Sequence, residues 1–535
     1  MKGDASADLR DAETPDEVIV NTEARVPDFD PTLGIMVKLD AIKGTCTNKL
    51  VTMGDSVTMG FQSGAIHNTR ISWPKIVAAE VGGDPAFRFP LFDGYGGLPL
   101  NIEYLLRAIE HKYGTEISWW ELPAAGFELR HQMALIEDYW ERGAGARAPI
   151  TSAIMHNLAV YGWDIRDVLS RTAKNLKDAM VKPKDDLFSQ VVENANIRAA
   201  LGVYSSMDDT DTLLDAARTL GEQGALPGSG GDAATPGIET LVVFLGANNI
   251  LGTVTRLKVS WSDKNYNKIG KEKDSYTAGR PSHFKSEYLL LVAELEKINA
   301  QHVILINVPH VTIAPVARGV AKKVSPRSRY FPFYTRPWIS DTQFNAAEDP
   351  NITDNQARAI DSAIDQYNEL IAAVVKQQRL AGKDWYVLDM AGVMDRAAAR
   401  RYINDIAARP GWWTEYELPA ALKALNPKPD STFFLSTPQG RLQGGLFSLD
   451  GIHPTTIAYG LIAQEVINIM QLAKVPFYHN DGVTLRQGPV QVDFERLIRL
   501  DSLISKPPAT LTSDMKTLGW LDEMGDFFGK LNPFS

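Results

Sequence analysis

Four short strings in this 535-residue chain carry groups that could do chemistry together. Gly54-Asp55-Ser56 offers a hydroxyl, and Asp450-Gly451-Ile452-His453 offers an imidazole with a carboxylate three residues before it. Gly246-Ala247-Asn248-Asn249 offers a side-chain amide, and Tyr161-Gly162 offers a backbone N–H beside a glycine. The chemistry they would perform is acyl transfer to a serine. His453 would take the Ser56 proton, and Asp450 would hold the other ring nitrogen. Asn248, Gly162 and the Ser56 amide would donate to the oxyanion that forms on attack. Asp55 and Asn249 are assigned to loop support. Each string alone fits a blander role: a turn for Gly54-Asp55-Ser56, a helix cap for Asp450 and His453, a strand-ending turn for Gly246 to Asn249. Their combination favours the chemical reading.

These strings need elements to hold them. Residues 49–53 read as a strand stopping at Gly54, and 153–160 as a second strand running into Tyr161-Gly162. Leu241 to Leu245 form the clearest buried strand, ending at Gly246. Further strands are expected at 302–308 and 385–389. Helices are expected from Trp73 to about Val81, from Asp164, over 187–201 and 208–220, over 283–299, over 353–379 and over 455–472, with Pro454 at the start of the last. The alternation predicts an α/β fold: a mainly parallel sheet covered by helices, with the polar strings at strand ends. Gly224 to Gly237 reads as a loop. Residues 1–32 form an acidic N-terminal arm or strap, 33–474 the main domain, and 475–535 a C-terminal helical extension, with Phe494 to Ile504 as one amphipathic helix packed on the body.

The ordered set of Ser56 in its Gly-Asp-Ser turn, Gly162, Asn248 and the Asp450/His453 pair resembles the SGNH or GDSL hydrolase superfamily. The resemblance covers core elements scattered between about residues 49 and 472. It implies a three-layer α/β/α, flavodoxin-like core, Ser56 as nucleophile, Gly162 and Asn248 in the oxyanion hole, and His453 oriented by Asp450. It also implies hydrolysis of a carboxylic O-acyl ester, of esterase, lipase or O-acetylesterase type, without a cofactor. Val57 stands where that family has leucine, and Asn249 where it often has aspartate. The chain exceeds a minimal domain of the family, so insertions are expected between Gly60 and Ser152, Asn249 and His283, and Met390 and Phe434. Two aromatic groups fall there, Phe87, Phe89, Phe92, Tyr95, Trp119 and Trp120 in one, and Trp412, Trp413, Tyr416, Phe433 and Phe434 in the other. They suit lid packing or substrate contact.

Composition narrows the alternatives. With 44% hydrophobic and 22% charged residues the chain is globular, and a net charge of −10 disfavours a general nucleic-acid binder. No apolar run is long enough to span a bilayer. The one cysteine, Cys46, rules out an intrachain disulfide framework. A soluble protein is expected, cytoplasmic, or secreted or periplasmic if a signal peptide is missing here. Asn351-Ile352-Thr353 fits a glycosylation acceptor only in a secretory pathway. No metal is expected: His67, His111, His131, His156, His302 and His310 form no ligand pattern, and Lys268 breaks the calcium-loop pattern begun by Asp263, Asn265 and Asn267. The competing class is a non-catalytic glycan-binding or structural protein on the same fold.

Overall fold

Asn48–Gly54 is buried along nearly its whole length, as is Ile238–Phe244. Such runs, apolar on both faces, suit the interior of a parallel sheet. The computed structural model describes residues 9–38, 46–66, 68–82, 86–92, 101–114, 122–143, 146, 153–180, 189–204, 208–223, 237–269, 276–479 and 481–509. Five strands, β1 (Asn48–Gly54), β2 (Asn157–Ala159), β3 (Ile238–Phe244), β4 (Ala300–Ile306) and β5 (Trp385–Leu388), pair in the order β2-β1-β3-β4-β5. All four pairings are parallel. Helices flank this sheet. Trp73–Glu80 packs on Thr456–Leu472, and Pro281–Leu295 packs on both Asp354–Leu380 and Ile165–Ser170.

Several elements depart from the sequence expectation for local reasons. The strand expected at 153–160 pairs over three residues only, and just before it the His156 backbone N–H donates to the carbonyl of Arg88. The helix expected from 208 starts at Leu213, where Thr212 and Asp215 form a capping box. Pro454 does not open the last core helix. It pairs with Phe447, and Thr455 caps the helix that begins at Thr456. The amphipathic stretch after 493 is two helices, Phe494–Leu500 and Ser502–Ser505, broken at Asp501. The Asp501 carboxylate is buried, accepts from the amides of Leu503 and Ile457, and so ties the second helix to the start of Thr456–Leu472. Of the 224–237 loop, only Gly237 lies among the described residues.

The described N-terminal residues form a strap. Asn21 N–H donates to Ser362 Oγ at 3.0 Å, Val387 N–H donates to Pro31 O at 3.1 Å, and Val18 and Val20 are fully buried. Arg25 plunges into the body, where its guanidinium meets Asp389 and Asp365. Asp365 continues this buried ionic cluster to His310, whose Nε2 lies 3.1 Å from Asp365 and whose Nδ1 lies 3.1 Å from Asp395. Arg401 closes the chain of charges, 2.8 Å from Asp361 and 3.2 Å from Asp395. With a carboxylate on each nitrogen, the His310 ring is held as the imidazolium. Burial works against the charge, but Asp395, Asp361 and Asp365 outweigh it and raise the pKa to about 10. The folded state therefore keeps a proton that an unfolded histidine releases near ~6.5. The stabilisation is complete below that pH and fades as pH climbs toward 10. His310→Gln is expected to cost about 3–5 kcal/mol near pH 6, with the gap to the parent narrowing steadily in thermal melts toward pH 10.

Candidate active site

The register of the sheet sets the site. Gly54 at the end of β1 pairs with Ala159 of β2 on one side and with Phe244 of β3 on the other. The three strands thus end level, and the loops after them leave from one edge. From β1 the chain steps outward to β2, then returns past β1 to β3. This reversal opens a crevice beyond the carboxyl ends of β1 and β3, the usual ligand position in open parallel sheets. Ser56 follows Gly54 by two residues, and Gly246 follows Phe244 by two.

The turn into Ser56 has room for nothing larger than glycine at position 54. A Cβ there would sit 2.1 Å from Thr58 Oγ1 and 2.9 Å from the carbonyl of Phe244. Asp55 then caps the short helix Ser56–Met59, accepting from Val57 N–H at 3.0 Å. Burial pushes its carboxyl up to about 6. Ser56 stands at the first helical position and is 6% exposed.

Across the crevice, His453 Nε2 lies 2.9 Å from Ser56 Oγ, and His453 Nδ1 lies 2.9 Å from Asp450 Oδ2. Asp450 is fully buried and accepts four further hydrogen bonds: from Gly64 N–H to Oδ2, and from Ser448 Oγ–H, Ile452 N–H and His453 N–H to Oδ1. Burial alone would raise its pKa, but His453 and these donors prevail and hold the carboxyl below its usual range. An ionised Asp450 requires the proton on Nδ1, which leaves the Nε2 lone pair facing the Ser56 hydroxyl. Gly451 makes this loop possible. It adopts φ +67°, and a Cβ on it would stand 2.9 Å from the Val316 nitrogen. Phe61 packs its ring on His453, with centroids 4.4 Å apart.

Asn248 is half-buried and donates one Nδ2 hydrogen to Trp163 O at 2.8 Å. That bond ties the β3 loop to the turn holding Gly162, itself at φ +77°. The second Nδ2 hydrogen and the amides of Ser56 and Gly162 have no hydrogen-bond partner among the described residues. Asn249 is buried. Its backbone spans the loop, with N–H to Gly246 O at 3.2 Å and its carbonyl accepting from Gly279 N–H at 2.7 Å.

Sequence reasoning overlooked Ser63, Gly64 and Ser448, which fasten the Asp450 loop to the segment after Ser56; Ser63 N–H donates to Ser448 Oγ at 2.9 Å. No spacing rule marks them, because the contact joins positions 385 and 386 residues apart. Of the aromatics, Phe87 stacks on Phe89 and His156, and Trp413 packs on Tyr402. Tyr95, Trp119, Trp120 and His67 lie outside the described residues. Histidines 156 and 302 are tied to Asn48 and Asp384. Among the described residues no group of three or more His, Cys, Asp or Glu side chains is spaced to hold a metal ion, and no helix is long and apolar enough to cross a membrane. Comparison of the sequence with protein-family models and with curated proteins returns no match.

Deleting Asp450 would orphan buried donors, whereas deleting the Ser56 hydroxyl removes one end of a chain. Asp450→Ala is expected to lower stability by about 3 kcal/mol or more, and Ser56→Ala by under about 1 kcal/mol, read as shifts in thermal or denaturant midpoints.

Proposed function

We propose that this protein hydrolyses a carboxylic O-acyl ester through an acyl-Ser56 intermediate, on a flavodoxin-like core of SGNH or GDSL type. The observation that carries this reading is the unbroken path Ser56 Oγ to His453 Nε2 and His453 Nδ1 to Asp450, with both separations at 2.9 Å. The strand order supports the same fold reading, since it is the doubly wound order in which a ligand sits at the first switch point.

In this mechanism the Ser56 hydroxyl attacks the ester carbonyl as His453 Nε2 takes its proton. Asp450 stays ionised and stabilises the imidazolium without accepting a proton itself. The negative charge that develops on the carbonyl oxygen meets the amides of Ser56 and Gly162 and the free Nδ2 hydrogen of Asn248. The imidazolium then protonates the leaving alcohol. Water, deprotonated by the same nitrogen, attacks the acyl-serine; the bond from the acyl carbon to Ser56 Oγ breaks, the imidazolium returns its proton to Ser56 Oγ, and the acid leaves. Asn248 is ready for this role, because its bond to Trp163 O fixes the amide plane before substrate arrives.

Two measurements test the reading. A fluorophosphonate probe is expected to label the parent at Ser56, and Ser56→Ala to remove both the labelling and turnover across a panel of short and long p-nitrophenyl esters and O-acetylated glycans. Labelling of another residue, or equal turnover by folded Ser56→Ala, would sink it. Asn248→Ala is expected to keep the fold and lower kcat by roughly 100-fold or more, the loss of about 3 kcal/mol from one oxyanion donor.

A further inference from the structure

Behind the Asp450–His453 loop lies a second cavity, of about 300 Å³. It is joined to that loop directly. Val316, between the wall residues Pro315 and Ala317, donates its N–H to Gly451 O at 3.0 Å, and Phe433, also in the wall, lies against Gly451. The lining contains four arginines, Arg318, Arg329, Arg400 and Arg401, and no aspartate or glutamate. Two of these charges are answered nearby. Arg401 pairs with Asp361 and Asp395 behind the wall, and Arg318 reaches the exposed Asp341 at 2.6 Å.

The other two have no such partner in contact among the described residues. Arg329 is buried, and its Nε donates to the neutral phenol of Tyr330 at 2.9 Å; no carboxylate stands within ion-pair distance of it among the described residues. Burial opposes its charge, but Tyr330, Tyr402 and the more distant Asp361, itself held by Arg401, outweigh burial and raise its pKa, so the guanidinium is firmly charged. Arg400 donates to Gly319 O at 2.6 Å and lies over the Phe331 ring, again without a carboxylate. Burial and the neighbouring Arg318 lower its pKa and prevail over the pull of Asp341, which is itself paired with Arg318. Guanidinium groups nonetheless stay protonated in proteins. The cavity is therefore lined by two guanidinium groups with no carboxylate in ion-pair contact, while Phe331, Tyr334, Pro337, Phe433 and Leu435 give it apolar walls.

We infer that this cavity binds a small organic anion, with its carboxylate or phosphate head on Arg329 and Arg400 and its apolar body against Phe331, Phe433 and Leu435. A planar fork of N–H donors matches either head group bidentately, and a bound anion would supply the counter-charge that neither guanidinium has in contact. The inference does not depend on the Ser56 chemistry, and it adds a ligand where the proposed hydrolysis needs none.

The test is calorimetric titration of the Ser56→Ala protein with phenyl phosphate, benzoate and, as the neutral arm, benzyl alcohol. One of the two anions is expected to bind at one site per chain, at least roughly tenfold more tightly than benzyl alcohol, the value of one charge-assisted hydrogen bond. The tighter anion identifies the head group. Arg400→Gln is expected to erase the preference for the anion and to leave the melting midpoint close to the parent's, since it removes a half-buried charge that has no carboxylate in ion-pair contact. Leu435→Trp, which fills the apolar end without touching an arginine, is expected to block binding too. Failure of both anions to bind at millimolar concentration, equal affinity for benzyl alcohol, or undiminished binding in both folded variants would overturn the inference.

Discussion

The buried carboxylate of Asp450 is the constraint on which the site rests. Five hydrogen bonds converge on its two oxygens, from a segment just after the β1 turn and from its own loop. A carboxylate taken fully out of water is tolerable only when its lone pairs are occupied in this way. The same saturation removes any freedom for the His453 ring to turn, because rotation would break the Nδ1 contact with nothing to replace it. The alignment of Nε2 with Ser56 therefore follows from solvation of a neighbouring acid. No property of the serine itself is required.

A second buried charge system works at larger scale. Asp389, at the end of β5, receives Arg25 from the N-terminal strap, Asn307 Nδ2 from the end of β4 at 2.8 Å, and Asp28 N–H. Asp365 and Asp395 extend the network through His310 to Arg401. The strap, the central helix Asp354–Leu380 and the segment after β5 are thereby joined by charges that compensate one another only in this arrangement. Because each ion is costly if left alone, the network acts as a register for segments that have no shared strand or helix to align them. Beyond its outer end, Arg329 and Arg400, with no carboxylate in ion-pair contact among the described residues, line the cavity behind the Asp450–His453 loop.

The sheet was legible in the sequence because buried parallel strands are short apolar runs with glycine or polar residues after them. Leu241 to Leu245 needed no partner to be recognised, and Ser56, Asn248 and His453 were conspicuous as polar residues at the ends of such elements. Asp501 shows the limit. Periodicity carried one amphipathic helix through residues 494 to 504, but the burial of a single carboxylate against Ile457 N–H broke it in two. The holders of Asp450 were hidden for a related reason, since Ser63, Gly64 and Ser448 act through backbone amides and a hydroxyl across nearly 400 residues, a distance over which neither pattern nor spacing carries information. The four arginines of the second cavity were equally silent. Their chemistry lies in which of them meet an acid, as Arg318 and Arg401 do, and which do not, and that division becomes visible only in three dimensions.

The hydrogen bond between Ser56 and His453 joins positions 397 residues apart. The Ser56 turn is therefore synthesised well before His453 and the loop that solvates Asp450. Until those later residues are in place, no imidazole stands beside the Ser56 hydroxyl. The contacts that join Ser56, His453 and Asp450 form only once the chain through Thr456–Leu472 has closed over the sheet. A copy cut short before residue 453 would lack them however well its earlier strands had paired, so the arrangement couples the site to completion of the fold.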